Sequence, residues 1–377
     1  MKRIAVISNH AFSLINFRGP LISRMVESDL HVFALAPDYS NEMMNNVIAI
    51  GAEPIQYTLS RTGMNPMRDL IDLSKLVILL HRLKPTITLA YFIKPIIYGS
   101  IAALVAGVSQ RYSIIGGLGF IFIEDKDNKT FKHNLLRKVI SFLYRLALSL
   151  NNRVIFLNRD DLEQFCKKGI VYADKAFLIP GTGVDLKHFY FAPSVQKPIT
   201  FIFIGRMLKE KGVHEFIKAA RSLKDRHPES RFIMIGGIDV NPGSIQEHHL
   251  HSWVKEGLVE WPGQVNDVRP WIAQSSVFVL PSYREGKPRS TQEAMAMGRP
   301  VITTNAPGCR DTVHDGVNGF LIPVRDANAL ARSMERFIEQ PDLIVTMGIE
   351  SRRLAETHYD VHKINRQLMS IMGISAV

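Results

Sequence analysis

Along the first half of the chain, short apolar runs alternate with longer stretches of mixed character. The runs are Ile4–Ile7, Val32–Ala36, Ile55–Thr58, Thr86–Ala90, Tyr112–Ile115 and Val154–Leu157. They are apolar on consecutive rather than alternate positions, which predicts strands buried on both faces. Between them, apolar residues recur every three or four positions over Arg18–Glu27, Asn41–Ile50, Pro66–Leu83, Ile96–Val105 and Lys132–Leu150. That is the period of a helix with one buried face. Strand and helix in alternation predict an α/β domain, a parallel sheet covered by helices on both sides, with ligands taken at the carboxyl ends of its strands.

The alternation lapses at Pro180-Gly181-Thr182-Gly183-Val184-Asp185 and resumes only after Pro198. Ile199–Ile204, Phe232–Ile235, Val277–Leu280 and Val301–Thr303 then read as strands. Val213–Arg226, Val268–Gln274, Thr291–Met297 and Ala327–Gln340 read as helices, and Asp360–Met372 closes the chain in helical period. The pattern predicts two parallel-sheet domains, residues 1–185 and 186–357, facing across a cleft with a hinge near Gly181–Val184, and a last helical segment at 358–377.

Length and composition fit this: 377 residues, 46% hydrophobic and 21% charged, suit two soluble domains of ordinary size. No stretch reaches the roughly 18 uncharged apolar residues of a membrane helix, and the apolar start at Ile4 ends at Asn9-His10, too soon for a signal-peptide core. Two distant cysteines, Cys166 and Cys309, match no metal-ligand spacing and are consistent with a reducing cytoplasm. The net charge of +11 calls for an acidic partner. Nucleic acid is disfavoured, since no helix-turn-helix, zinc or aromatic RNA-binding pattern accompanies the charge. Lys132, Arg137, Lys138 and Arg145 instead sit on an amphipathic helix without acids, which suits an anionic membrane surface as well as it suits a solvated domain edge.

Two strand–loop–helix junctions carry the candidate chemistry. In the first, Pro281, Gly286 and Pro288 break the chain after Val277–Leu280, and Ser290-Thr291 is placed to cap the helix that follows. A helix N-terminus there would offer free N–H groups to a phosphate, with Glu285 and Glu293 as acceptors for hydroxyls on either side. In the second, Gly205-Arg206 and Lys211-Gly212-Val213 follow Ile199–Ile204, bringing a planar fork and a point charge suited to a diphosphate. Each junction taken alone also fits an ordinary solvated loop.

Together the two junctions resemble the retaining family 4 glycosyltransferases of the GT-B fold, two Rossmann-like domains facing across a cleft. Glu285 and Glu293 have that family's Glu-x7-Glu spacing, and Gly236-Gly237, Asp267 with Trp271, Pro300-Val301-Ile302 and Asn318-Gly319-Phe320-Leu321-Ile322 also match. In the first half, Asn16-Phe17-Arg18, Gly116-Gly117-Leu118-Gly119 and the basic helix look like the subgroup that extends polyprenyl-diphosphate-linked sugars in O-antigen or glycan assembly. The resemblance implies a UDP-sugar donor, a polyprenyl-diphosphate-linked acceptor, no metal and no cofactor, at the inner face of the cell membrane. An N-acetylhexosamine such as GalNAc is the sugar it favours. A hexosyltransferase acting on another lipid or core oligosaccharide, a UDP-sugar epimerase of the same architecture and a non-catalytic nucleotide-sugar binder are the alternatives.

Carried over residue by residue, the resemblance gives Arg206 and Lys211 the leaving diphosphate, Glu293 the ribose and Glu285 the moving sugar. Gly205, Gly286, Lys287, Pro288, Arg289, Ser290 and Thr291 complete the donor side, with Gly19 approaching from the other domain; the last helix would cross back to that domain. His10, Asn16, Arg18, Gly117 and Glu124 are the acceptor-side candidates. Lys287 and Arg289 depart from the family, many of whose members carry a bulky apolar residue at the former position, and so bear on donor identity. Asp125-Lys126-Asp127 reads as a polar loop rather than a metal motif. His248-His249-Leu250-His251 lacks ligand spacing, and Gly117-x-Gly119 lacks the third glycine of a dinucleotide fingerprint.

Overall fold

The computed structural model describes residues 2–60, 65–118, 122, 131–239, 241 and 243–374, with the side chains of 131–133 excepted. The chain divides into two compact units, one of residues 1–182 and 362–377, the other of residues 183–361.

In the first unit the order is β1 (Lys2–Ile7), α1 (Ala11–Asn16), α2 (Gly19–Glu27), β2 (Leu30–Ala36), α3 (Asn41–Ala49), β3 (Glu53–Gln56), α4 (Pro66–Leu83), β4 (Ile87–Tyr91), α5 (Ile93–Val105), β5 (Gln110–Ile115), α6 (Phe131–Ser149), β6 (Arg153–Phe156), α7 (Arg159–Lys167) and β7 (Ala176–Leu178). All neighbours are parallel, in the order β3-β2-β1-β4-β5-β6-β7. Successive side chains of a strand point to opposite faces. Thus Ile4 and Val6 pack with α1, α2 and the last helix on one side, while Ala5 and Ile7 pack with α4, α5 and α6 on the other.

The second unit contains β8 (Thr200–Ile204), α8 (Val213–Lys224), β9 (Arg231–Ile235), α9 (Glu247–Lys255), β10 (Glu260–Gly263), α10 (Arg269–Ala273), β11 (Val277–Leu280), α11 (Arg289–Ala296), β12 (Val301–Thr304), β13 (Gly319–Ile322), α12 (Ala327–Glu339) and α13 (Asp342–His358). Its sheet is again wholly parallel, in the order β10-β9-β8-β11-β12-β13. In both sheets the first strand of the unit is central and the order reverses there, which makes its carboxyl end the switch point where such folds take ligands.

The chain passes between the units twice, at 182/183 and 361/362, a few residues from the boundaries read from the sequence at 185/186 and 357/358. The physical reason is a pairing: Val184 N–H donates to Tyr359 O at 2.8 Å and Val361 N–H to Val184 O at 3.1 Å, which ties these ends into the second unit. The final helix, α14 (Val361–Ile371), buries Ile364, Leu368 and Met369 in the first unit's core, and Tyr112 Oη donates to Met372 O at 2.8 Å.

Several elements differ from the periodicity. Strands β7, β10 and β13 and helices α1, α7, α9 and α13 are not predicted by it. β7 has three residues, β10 contains Pro262, and β13 begins at a glycine; each is too short or too broken to carry its own pattern. Ser290 and Thr291 do not cap α11. Pro288, with φ at −66°, is the residue before the helix, which starts at Arg289 without a side-chain cap. Proline pre-sets the first-turn φ, so the helix begins earlier than hydroxyl capping would place it.

Candidate functional site

At the carboxyl end of β8 the chain passes through Gly205 and Arg206 into a short turn at Lys209–Lys211, and Gly212 opens α8. Gly212 has φ of +79°, and a Cβ there would lie 2.2 Å from Pro281 O. Glycine is therefore required for this loop to lie against the exit of β11. The junction is closed by Tyr283 N–H donating to Glu210 O at 2.9 Å.

This approach joins the two junctions predicted from sequence. Lys211 Nζ forms an ion pair with Glu285 Oε1, and Ser282 Oγ donates to the same oxygen at 2.8 Å. The side chains are only 18% and 11% exposed, so water screens the pair weakly. Glu285 is held from behind: its N–H donates to Pro307 O at 3.0 Å, and Gly308, at φ +75°, would carry a Cβ 2.2 Å from Glu285 O.

Beyond Gly286, α11 begins. Its first backbone hydrogen bond is from Gln292 N–H to Pro288 O, which leaves the amides of the first turn ahead of the helical ladder and turned toward the end of β8. Ser290 Oγ donates to Ile204 O at 2.9 Å, fastening the helix start to the end of β8. Thr291 is fully buried, and its Oγ1 has no hydrogen-bond partner among the described residues. Arg289 Nε donates to Glu293 Oε1 at 2.8 Å. Burial pushes the Glu293 carboxyl above the usual range, and Arg289 opposes the shift.

Two predicted cations take other partners. Arg206 pairs with Asp239 at 2.6 Å, and its side chain is 55% exposed. Lys287 turns away from Glu285 to lie 3.5 Å from Asp311 Oδ2 and 5.8 Å from the Tyr359 ring centroid; burial pulls its ammonium below its usual range, against Asp311. Asn318 is structural: it accepts from His314 N–H at 2.8 Å and donates to Thr312 O at 3.1 Å. Gly236 is also fixed by packing, since a Cβ would lie 1.9 Å from Gly205 O. Gly205 itself is not, because its Cβ would meet the Phe203 ring at 3.5 Å, an ordinary contact. Periodicity gave no sign of Ser282, Asp239 or Asp311, which reach the site through the register of adjacent parallel strands and their exit loops.

In the first unit, His10 precedes α1 and its Nδ1 lies 2.7 Å from Asp38 Oδ2, while Asp38 Oδ1 accepts from Ala11 N–H at 2.7 Å. Ser8, Ser13 and Tyr91 form a chain of hydroxyl contacts at 2.7 and 3.0 Å, and the buried Arg18 guanidinium lies 5.3 Å over the Tyr91 ring centroid. Asn16 ends α1. Gly19 opens α2, and the atom nearest to its Cβ position is Leu14 O at 4.0 Å. Gly117 has φ of +122°, a backbone reason for glycine. Glu124, Gly119 and Asp125–Asp127 lie outside the described residues. His249 stacks on Trp253 and His251 packs edge-on against Trp261, and no group of three or more metal-ligating side chains occurs among the described residues.

The chain is similar to several known proteins. Residues 198–340 match the family model described as glycosyl transferases group 1. The N,N'-diacetylbacillosaminyl-diphospho-undecaprenol alpha-1,3-N-acetylgalactosaminyltransferase of Campylobacter jejuni is 28% identical over 98% of both chains. The UDP-Gal:alpha-D-GlcNAc-diphosphoundecaprenol alpha-1,3-galactosyltransferase of Escherichia coli is 26% identical over 84% of this chain and 85% of its own. Among solved structures, sucrose-phosphate synthase from Thermosynechococcus elongatus superposes with a TM-score of 0.80 at 19% identity, covering 98% of both chains. HepE from Anabaena, solved with UDP and glucose, gives 0.77 at 18% identity over 99% of this chain and all of its own. Residues 198–340 are thus a group 1 glycosyl transferase domain, and the chain that carries it is a glycosyltransferase with two Rossmann-like domains of the GT-B fold.

Proposed function

We propose that this enzyme moves an N-acetylhexosamine, GalNAc foremost, from UDP to a polyprenyl-diphosphate-linked saccharide, with retention of configuration and without a metal, in surface-polysaccharide assembly. The observation that carries the reading is the weakly screened Lys211–Glu285 pair beside the uncapped start of α11. A diphosphate bound there would meet the amides of Arg289–Thr291 and the Lys211 ammonium, while Arg206, exposed on the neighbouring loop, adds charge. Glu293, buried and raised in pKa, is the ribose acceptor, and Glu285 faces the transferred sugar. Positive charge fixed in advance stabilises the departing UDP as the sugar–oxygen bond breaks, and the acceptor hydroxyl attacks from the same face within the ion pair. The relatives named for diphospho-undecaprenol acceptors support the choice of acceptor.

Attachment to the inner face of the cell membrane is part of the proposal. On α6, Leu135, Val139, Phe142 and Leu146 are exposed at helical spacing, Lys138 and Arg145 are exposed beside them, and the helix contains no acid. Neutralising Arg137, Lys138 and Arg145 should weaken binding to anionic liposomes several-fold; unchanged binding counts against this surface. No described helix is long and apolar enough to cross a membrane. The decisive experiment is a panel of radiolabelled UDP-sugars against synthetic polyprenyl-diphosphate monosaccharides in EDTA. Label should pass to an α-linked product only when acceptor is present. Donor consumed without acceptor would mark an epimerase, and UDP binding without turnover a binding protein.

A further inference from the structure

Lys287 sits in the middle of the donor loop, two residues after Glu285 and two before Arg289, the first residue of α11. Its side chain is 10% exposed and is used within the protein. The ammonium lies 3.5 Å from Asp311 Oδ2 and 5.8 Å from the Tyr359 ring centroid, while the Lys287 carbonyl accepts from Gln292 Nε2 at 3.4 Å. Asp311 belongs to the short turn Arg310–Thr312, which is fixed in its own right: Tyr359 Oη donates to Asp311 O at 2.9 Å, and Asn318 Nδ2 to Thr312 O at 3.1 Å. The same stretch backs the start of the loop. Glu285 N–H donates to Pro307 O at 3.0 Å, and a Cβ on Gly308 would lie 2.2 Å from Glu285 O and 2.7 Å from Gly286 O. Residues 285–287 are therefore pinned to residues 307–311 at both ends.

A lysine is a costly way to fill this place. Its ammonium gives up most of its water, and a buried ion pair is often no more stable than an apolar substitute of similar volume. What the pair adds is a defined position: an ammonium that must reach one carboxylate holds the backbone in one place, where an apolar side chain would accept several. The start of α11 needs no such help, because Ser290 Oγ fastens it to Ile204 O at 2.9 Å. We propose that Lys287 and Asp311 are positioning residues for the transferred sugar: their pair fixes Gly286 and the Glu285 carboxylate relative to the start of α11, so that the loop selects among sugars while Lys287 gives no charge to the diphosphate. This rests on the UDP-sugar donor and on the role of Glu285 proposed above.

The test compares the full chain with Lys287→Met/Asp311→Asn, which removes both charges. The urea midpoint of the variant should match wild type, and calorimetric titration with UDP should give an affinity within threefold. Transfer from the favoured donor should lose at least tenfold in kcat while the donor KM moves less than threefold, because uridine and diphosphate contacts set ground-state binding and the carboxylate acts on the sugar as it moves. The kcat/KM ratio between that donor and its C4 epimer, UDP-GalNAc over UDP-GlcNAc on the reading above, should fall at least fivefold. Amide deuterium exchange in the peptide covering residues 283–288 should quicken, with exchange in β11 unchanged. A tenfold loss of UDP affinity would make Lys287 a diphosphate ligand and overturn the proposal. Unchanged donor discrimination would overturn it too, as would a lowered urea midpoint with equal losses for every donor, the mark of a fold contact. If wild type transfers sugar from no UDP-sugar, the donor reading fails instead; the pair as an anchor of the loop is then upheld by faster exchange at 283–288 and refuted by unchanged exchange.

Discussion

Lys211 and Glu285 are at once a fold contact and the proposed donor charge, and substitution can separate the two roles. Lys211→Met leaves the Glu285 carboxylate, 11% exposed, with only the Ser282 hydroxyl as a side-chain partner among the described residues. Removing one member of a largely buried pair costs about 3–5 kcal/mol, and the residual exposure of both groups points to about 3. With a urea slope of about 2 kcal/mol/M, the midpoint should fall by roughly 1.5 M. All three tryptophans, Trp253, Trp261 and Trp271, lie in the second unit, so their fluorescence follows the unfolding that matters. Lys211→Met/Glu285→Gln removes both charges and should return to within about 1 kcal/mol of wild type. Its activity should not return: loss of a fixed charge at the leaving group costs about 10²–10³ in kcat/KM, read as UDP release with acceptor present. If the double variant is as stable as wild type and transfers sugar within tenfold of it, Lys211 is a packing residue and the donor assignment fails.

Three further outcomes follow from the same geometry. The Glu293 carboxyl binds its proton more tightly folded than unfolded, so the stability it contributes falls as pH rises from the ordinary carboxylate range through its raised pKa. Glu293→Gln should therefore stabilise the second unit at neutral pH, lose that advantage in acid, and bind UDP more weakly; equal stability at every pH would contradict the burial argument. Gly205→Ala should fold normally yet raise the donor KM, whereas Gly212→Ala, strained at φ +79° and against Pro281 O, should lose 2 kcal/mol or more, about the cost of strain plus overpacking; matching melting temperatures for the two would refute the distinction. Arg299, fully buried, donates to Ile272 O, Ala192 O and Ser194 Oγ at 2.8–2.9 Å, and Arg299→Met should cost about 3–5 kcal/mol by stranding those acceptors. A urea midpoint equal to wild type would show that the surrounding backbone rearranges freely.

The two-sheet plan was legible because buried parallel strands need consecutive apolar residues, and Ile4–Ile7 or Phe201–Ile204 supply them without help from distant parts of the chain. The two junctions were legible too, since glycine at 205 and 212 and proline at 281 and 288 act locally on the backbone. Partner choice was not. Lys211 meets Glu285 and Ser282 because β8 and β11 are neighbours in the sheet, and sequence spacing carries no record of which strands adjoin. For the same reason Arg206 goes to Asp239, at the exit of β9, and Lys287 to Asp311 beyond β12. Hydrophobic period, turn chemistry and the Glu-x7-Glu motif determined the architecture and the location of the donor loop. Only tertiary structure decided which charges neutralise one another, because ion pairing depends on through-space distance and burial, which strand order sets.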